Sequence, residues 1–276
     1  MSAFLAALAT QSCLQHALAA GVLASIACGI VGSYVVVKRI GYLAGGVAHT
    51  VLGGMGVAYF LGKSPIGGAL VAALLAAAVI AWVNLRLRQH EDTIIGALWA
   101  VGMAIGVIFI SRTPGYNVDL MSYLFGNIAL VCWSEVRLIL GLNVVIGATV
   151  LVCHKRLLAI CLDQEQAELQ GISVLGTNLI LLCLVALTVI CLTQVVGLIL
   201  VIALLSLPAA TAAHYVGRMG PLLLVSTLLC AVLTTVPRIA VYGTRIDPAS
   251  AIVLCAGAVY LLSVLGRRFC GRFRRA

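Results

Sequence analysis

Nine runs of apolar residues dominate this chain: 14–37, 45–61, 66–86, 93–110, 134–153, 177–195, 197–214, 221–242 and 249–266. Each is about 17 to 24 residues long, the length that carries a helix across the hydrocarbon of a bilayer. Backbone exposed to lipid must satisfy its hydrogen bonds internally, which leaves helices and closed barrels. A barrel would show strands of about ten residues with strict alternation, and these runs are continuous. The expected fold is all-α, a polytopic membrane bundle with eight or nine transmembrane segments. The choice rests on 177–214, which is broken near Gly197. It makes either two crossings or one crossing plus a segment that does not fully cross.

Composition excludes the soluble classes. Of 276 residues, 63% are apolar and 9% are charged, against about 25% charged in a soluble domain. No stretch is polar and long enough to fold separately, so residues 1–276 read as one membrane domain. There is no phosphate-cradling G-x-x-x-x-G-K-[ST] loop. Any active transport therefore draws its energy from another subunit or from an ion gradient. The first run lacks a basic leader and continues as a full span, unlike a cleavable signal peptide. The ten cysteines form no C-x-x-C pair and read as small reduced packing residues.

The net charge of +9 reads as topology rather than nucleic-acid binding, because the basic residues stand at segment ends. If the segments alternate, Lys38, Arg39, Arg86, Arg88, Lys155, Arg156, Arg218, Arg267, Arg268, Arg272, Arg274 and Arg275 share one side. Lys63, Arg112, Arg137, Arg238 and Arg245 hold the other. The positive-inside rule makes the first side cytoplasmic, including the basic tail 267–276. The N-terminus is outside if nine segments cross and inside if eight do.

Between the long runs, residues 154–176 hold Asp163, Glu165 and Glu168 in a short helical piece that ends at Gly171, a typical helix stop. It reads as a solvated loop or as a docking helix for a cytoplasmic partner, with docking favoured by its position. On the outer side, 112–128 reads as a second long connection with a partial helix at or in the outer face.

Four stretches together resemble the permeases of zinc, manganese and iron uptake ABC transporters. They are GSYVVVKRIGYLAGGVAHTVLGGMGVAY (32–59), EDTIIGALWAVGMAIGV (91–107), VDLMSYLFGN (118–127) and VVGLILVIALLSLPAATAA (195–213). The loop LDQEQAELQGI (162–172) resembles that family's coupling helix, which sits in a groove of the ATPase. The resemblance implies a permease homodimer or paired permeases around a central path, two cytoplasmic ATP-binding subunits, and an extracytoplasmic metal-binding protein. ATP then binds the partner subunit, this chain holds no cofactor of its own, and the cargo is a divalent metal ion. The expected place is the bacterial cytoplasmic membrane. The chain departs from the family where many members carry an Asp four residues before the His of the second segment: here Gly45 precedes His49. Near the last outer loop it reads Asp247-Pro248-Ala249-Ser250 in place of Asp-x-Pro-Ser-Gly.

His49 is the leading candidate for the translocation pathway. An ionisable residue inside an apolar, Gly-rich segment is costly unless it faces a cavity or a partner, and neutral imidazole is a common ligand for zinc and similar ions. Asp247 is a second pathway candidate, weighed evenly against an ordinary helix-end acid. Asp119 and the His90-Glu91-Asp92 group read as end or capping residues. Asp163, Glu165, Ala167, Glu168 and Gly171 are the expected ATPase-coupling set, the acids pairing with basic partner residues and the small residues permitting close approach. Pro208 should bend its helix by freeing a carbonyl near residue 204, a candidate gating kink. His214 reads as interfacial. Two rivals are an intramembrane enzyme, with His49 serving Ser206 or a cysteine, and a gradient-driven secondary carrier. No G-x-S-x-G or H-E-x-x-H occurs, and the acids stand at segment ends rather than inside helices.

Overall fold

The computed structural model describes residues 12–87, 91–113, 132–244 and 246–273. Among the described residues there are helices and turns and no strand. The helices are α1 (Ser12–Lys38), α2 (Gly41–Phe60), α3 (Pro65–Leu87), α4 (Glu91–Arg112), α5 (Trp133–Leu162), α6 (Gln164–Leu169), α7 (Val174–Val196), α8 (Leu198–Ala213), α9 (Met219–Ala240) and α10 (Pro248–Phe273). Among the described residues, eight are long and apolar enough to span a membrane, and α8 holds a shorter apolar stretch.

Local chemistry sets the ends. Two helices start on a polar residue followed by proline, the pairing that supplies a cap and a preset φ. Ser64 Oγ accepts from Gly67 N at 3.1 Å before α3. Asp247 Oδ2 accepts from Ser250 N at 2.9 Å before α10. Arg39, at φ 63°, closes α1, with Arg39 N donating to Val36 O and Ile40 N to Val35 O.

Side-chain pairs fix the direction of each helix. His16 of α1 meets Trp133 of α5, and Tyr34 Oη lies 2.6 Å from His154 Nδ1, so α1 and α5 run parallel. Lys38 bonds Asn178 at the start of α7. Ser25 bonds Thr234 of α9 at 3.0 Å, and Arg238 reaches back to Ala17, so α9 opposes α1. Phe60 packs on Phe109 while Thr50 bonds Leu98 O, so α2 and α4 are parallel. At the end of α8, His214 Nδ1 lies 2.8 Å from Ser263 of α10. Every long helix thus reverses the one before it. The ends of α1, α3, α5, α8 and α10 gather at one pole, here the Lys38 pole; Lys63 marks the other.

The structure revises one sequence expectation, decides between the two readings of a second segment, and buries a residue read only as standing at a segment end. First, α5 continues through His154-Lys155-Arg156 to Leu162, so 154–162 belongs to the long helix and the short piece is only six residues. Basic residues do not break a helix, so the change of composition at His154 is not a boundary. Second, 177–214 is two helices turning at Gly197, whose φ 77° and ψ 170° are almost confined to glycine. α8 has 16 residues, about 24 Å of helix against about 30 Å of hydrocarbon. Third, Arg238, which stands at a segment end, is buried. It is 4% exposed, and its Nη1 donates to Ala17 O at 2.6 Å between α1 and α9.

In lipid, helices associate through close packing rather than water exclusion, which favours small residues at contacts. The α2–α4 seam is of this kind. A Cβ at Gly53 would stand 2.7 Å from Gly102 O, one at Gly102 2.7 Å from Thr50 Cα, and one at Gly56 2.8 Å from Gly106 O. The two backbones touch, and they hold α2 in the buried middle of the bundle.

Candidate functional site

His49 sits about two turns into α2 from the Lys38 pole and is 9% exposed. Its imidazole lies flat against the Trp99 indole of α4, with centroids 4.2 Å apart and planes at 19°. Its Nδ1 is buried with no hydrogen-bond partner among the described residues. The next residue, Thr50, donates from Oγ1 to Gly46 O at 2.8 Å and toward Leu98 O at 3.3 Å. This ties α2 to α4 at the same level. Thr50, Gly53, Leu98 and Gly102 also line an apolar groove of about 700 Å³ between α2, α3 and α4, with Lys63 and Ser64 in its wall.

A buried imidazole nitrogen without a partner is costly and is also a free lone-pair donor when the proton is on the other nitrogen. That arrangement can hold a cation in passing. Ser206, the candidate nucleophile for His49 to serve, bonds elsewhere: Ser206 Oγ donates to Ile202 O at 2.6 Å, within its own helix. Among the described residues, no three His, Cys, Asp or Glu side chains gather into a cluster able to hold a metal ion.

The other candidates lie elsewhere. Asp247 is exposed at the start of α10, on the Lys63 pole, where its Oδ2 accepts from both Ser250 N and Ser250 Oγ, at 2.9 and 3.0 Å. The structure therefore gives it a capping role and does not bring it to the level of His49. Pro208 is buried inside α8, which continues as helix on both sides of it. His214 closes that helix and stacks on Tyr260 of α10 at 5.7 Å. The 112–128 connection, including Asp119, lies largely outside the described residues, as does His90.

The coupling candidates do share one element. Asp163 is the N-cap of α6: its Oδ1 accepts from Glu165 N at 2.9 Å and from Gln166 N at 3.1 Å. At the other end Ile172 N donates to Ala167 O and Gly171 N to Glu168 O, at 3.0 and 2.9 Å. With Gly171 at φ 76°, this is a Schellman stop. Glu165, Glu168 and Leu169 face outward, Leu169 at 90% exposure. Ala167 packs inward at 1%, so it seats α6 on its own chain rather than offering room to a partner.

Sequence reasoning passed over Trp99 and the buried setting of Arg238. Trp99 was visible as a large ring in a helix of small residues (EDTIIGALWAVGMAIGV), but its partner on another helix was not. Arg238 carried no local sign, because a helix-end arginine and a buried one read alike.

A model of the ABC 3 transport family matches residues 10–267. A Chlamydia trachomatis protein named a probable metal transport system membrane protein is 38% identical over 89% of this chain and 86% of its own length. The manganese transport system membrane protein MntC of Halalkalibacterium halodurans is 31% identical over 93% of this chain and 88% of its own. Among solved structures, PsaBC from Streptococcus pneumoniae in complex with Fab superposes with a TM-score of 0.85 at 29% identity, covering 95% of this chain and 94% of that one.

Proposed function

This chain belongs to the ABC 3 transport family, and from that premise we propose that it is the membrane permease subunit of an ATP-driven importer of divalent transition-metal ions. It performs no covalent chemistry. A delivery protein outside the cell presents the ion at the Lys63 pole, and ATP-binding subunits dock at the Lys38 pole. That pole gathers Lys38, Arg39, Lys155, Arg156 and Arg218, which by the positive-inside rule makes it cytoplasmic.

The observation that carries the cargo reading is the free, buried Nδ1 of His49 inside a membrane helix. An imidazole donor suits zinc and iron(II), manganese takes imidazole in mixed sites with oxygen ligands, and a single donor per chain binds weakly enough to let the ion leave. Manganese is the first cargo to test, because a relative covered over nearly its whole length is named for it. Coupling runs through α6, whose outward Glu165, Glu168 and Leu169 give a partner both charge and an apolar contact. A second permease copy completes the path. Alternating access follows: nucleotide-driven closure of the ATP-binding subunits moves α6, and α5 and α7, which flank it in the chain, carry the movement into the bundle.

The test is metal accumulation in cells expressing the complete transport system, in a strain lacking this chain, and in one carrying His49→Ala at equal membrane abundance. Uptake should vanish without the chain. In the variant it should fall at least about tenfold, the scale on which losing a partner of a metal site weakens binding. Equal accumulation of manganese, zinc and iron in all three strains would sink the metal reading.

A further inference from the structure

His49 presents a free ring nitrogen in the bundle interior, yet a flat aromatic surface closes one side of its ring. The Trp99 indole covers the imidazole at 4.2 Å. It also fills the space one turn earlier on α2: a Cβ at Gly45 would lie 2.7 Å from Trp99 Cζ3 and 3.0 Å from Ile202 Cδ1. The backbone beneath Trp99 cannot carry the ring aside, because Gly102, one turn later, already touches Thr50, with Cβ room of only 2.7 Å. Rotation about the Trp99 side-chain torsions is what remains. A helical side chain lies over the turn preceding its own Cα. On that turn Gly96 has nothing within 4 Å of a Cβ position, and Trp99 itself is only half-buried.

The geometry points to Trp99 as a swinging cover over His49. Stacked, it screens the imidazole and leaves no room for a side chain at position 45. Turned over Gly96, it opens the ring to the path. The indole face attracts cations, so the cover assists an arriving cation instead of repelling it. Trp99 is thus a positioning residue that sets when the imidazole is reachable. The inference rests on the permease reading only for what arrives; the cover is a property of the helix pair.

The test is the rate at which diethylpyrocarbonate labels His49 in the purified transporter complex, read by mass spectrometry of the peptide. Trp99→Ala removes the cover and should speed labelling by about tenfold. Trp99→Phe keeps a ring on the imidazole and should stay near the wild-type rate. Gly45→Ala, which leaves Trp99 intact but pushes its ring away, should also speed labelling. His154 and His214, held by Tyr34 and Ser263, serve as internal controls and should not change. Wild-type rates in both Trp99→Ala and Gly45→Ala would overturn the cover. So would faster labelling of every histidine, which would mean a loosened bundle. Manganese(II) added to the Trp99→Ala complex should protect His49. Fast labelling that manganese, zinc and iron(II) all leave unchanged keeps the cover and counts against the metal reading instead.

Discussion

Asp163 and Gly171 bracket the six-residue helix α6, which could not hold alone, since isolated helices shorter than about 12 residues are marginal in water. Asp163 ties two otherwise unbonded amides, Gly171 takes the left-handed turn at φ 76°, and Ala167 fixes the piece to the chain. Losing the cap should cost about 1 kcal/mol. Asp163→Ala is therefore expected to fray α6 and weaken co-purification with the ATP-binding subunit, with Asp163→Asn restoring it. Unchanged co-purification in Asp163→Ala would place the docking surface elsewhere. The acids and the glycine were legible as a helix with a stop because capping is local chemistry. The inward role of Ala167 was not, because burial depends on a neighbour the local pattern does not show. The same limit hid Trp99 against His49, and it hid the seat of Arg238 against Ala17 O.

Among the helices, length was readable and pairing was not. Continuous apolar runs marked the spans, because lipid imposes one length on all of them. The end of α5 was misplaced, since Lys155 and Arg156 continue a helix as readily as they leave one. Which glycines serve as contacts also needed the structure. Gly102 and Gly96 stand six residues apart in one helix, but a Cβ on Gly102 meets the α2 backbone at 2.7 Å while one on Gly96 meets nothing within 4 Å. Gly102→Val should destabilise the bundle by about 1–3 kcal/mol, the usual cost of overpacking. Gly96→Val should leave the melting temperature in detergent within experimental scatter. Equal melting of the two variants would mean that the α2–α4 seam does not hold the bundle together.

At the scale of the molecule, helices of alternating direction carry α6 and most of the basic side chains at one pole and Lys63 at the other, with His49 between them on the most buried of the spans. On the proposed permease reading this separates the work of the two ends: cargo would be received at one and energy applied at the other, with the tightly packed α2–α4 pair between. The grouping of basic residues was already legible, because charge at segment ends is written in the sequence. The short reach of α8 was not, because Gly197 announces a break without saying how far the chain returns. An importer built this way moves metal only when ATP is hydrolysed at the α6 pole. The most direct measurement is uptake of manganese into proteoliposomes holding the complete complex, with ATP enclosed in the lumen and the loaded delivery protein outside. The account predicts uptake that requires enclosed ATP and that His49→Ala lowers by at least about tenfold. Manganese, zinc and iron(II) entry at the same rate with and without ATP, or in liposomes lacking this chain, would contradict it.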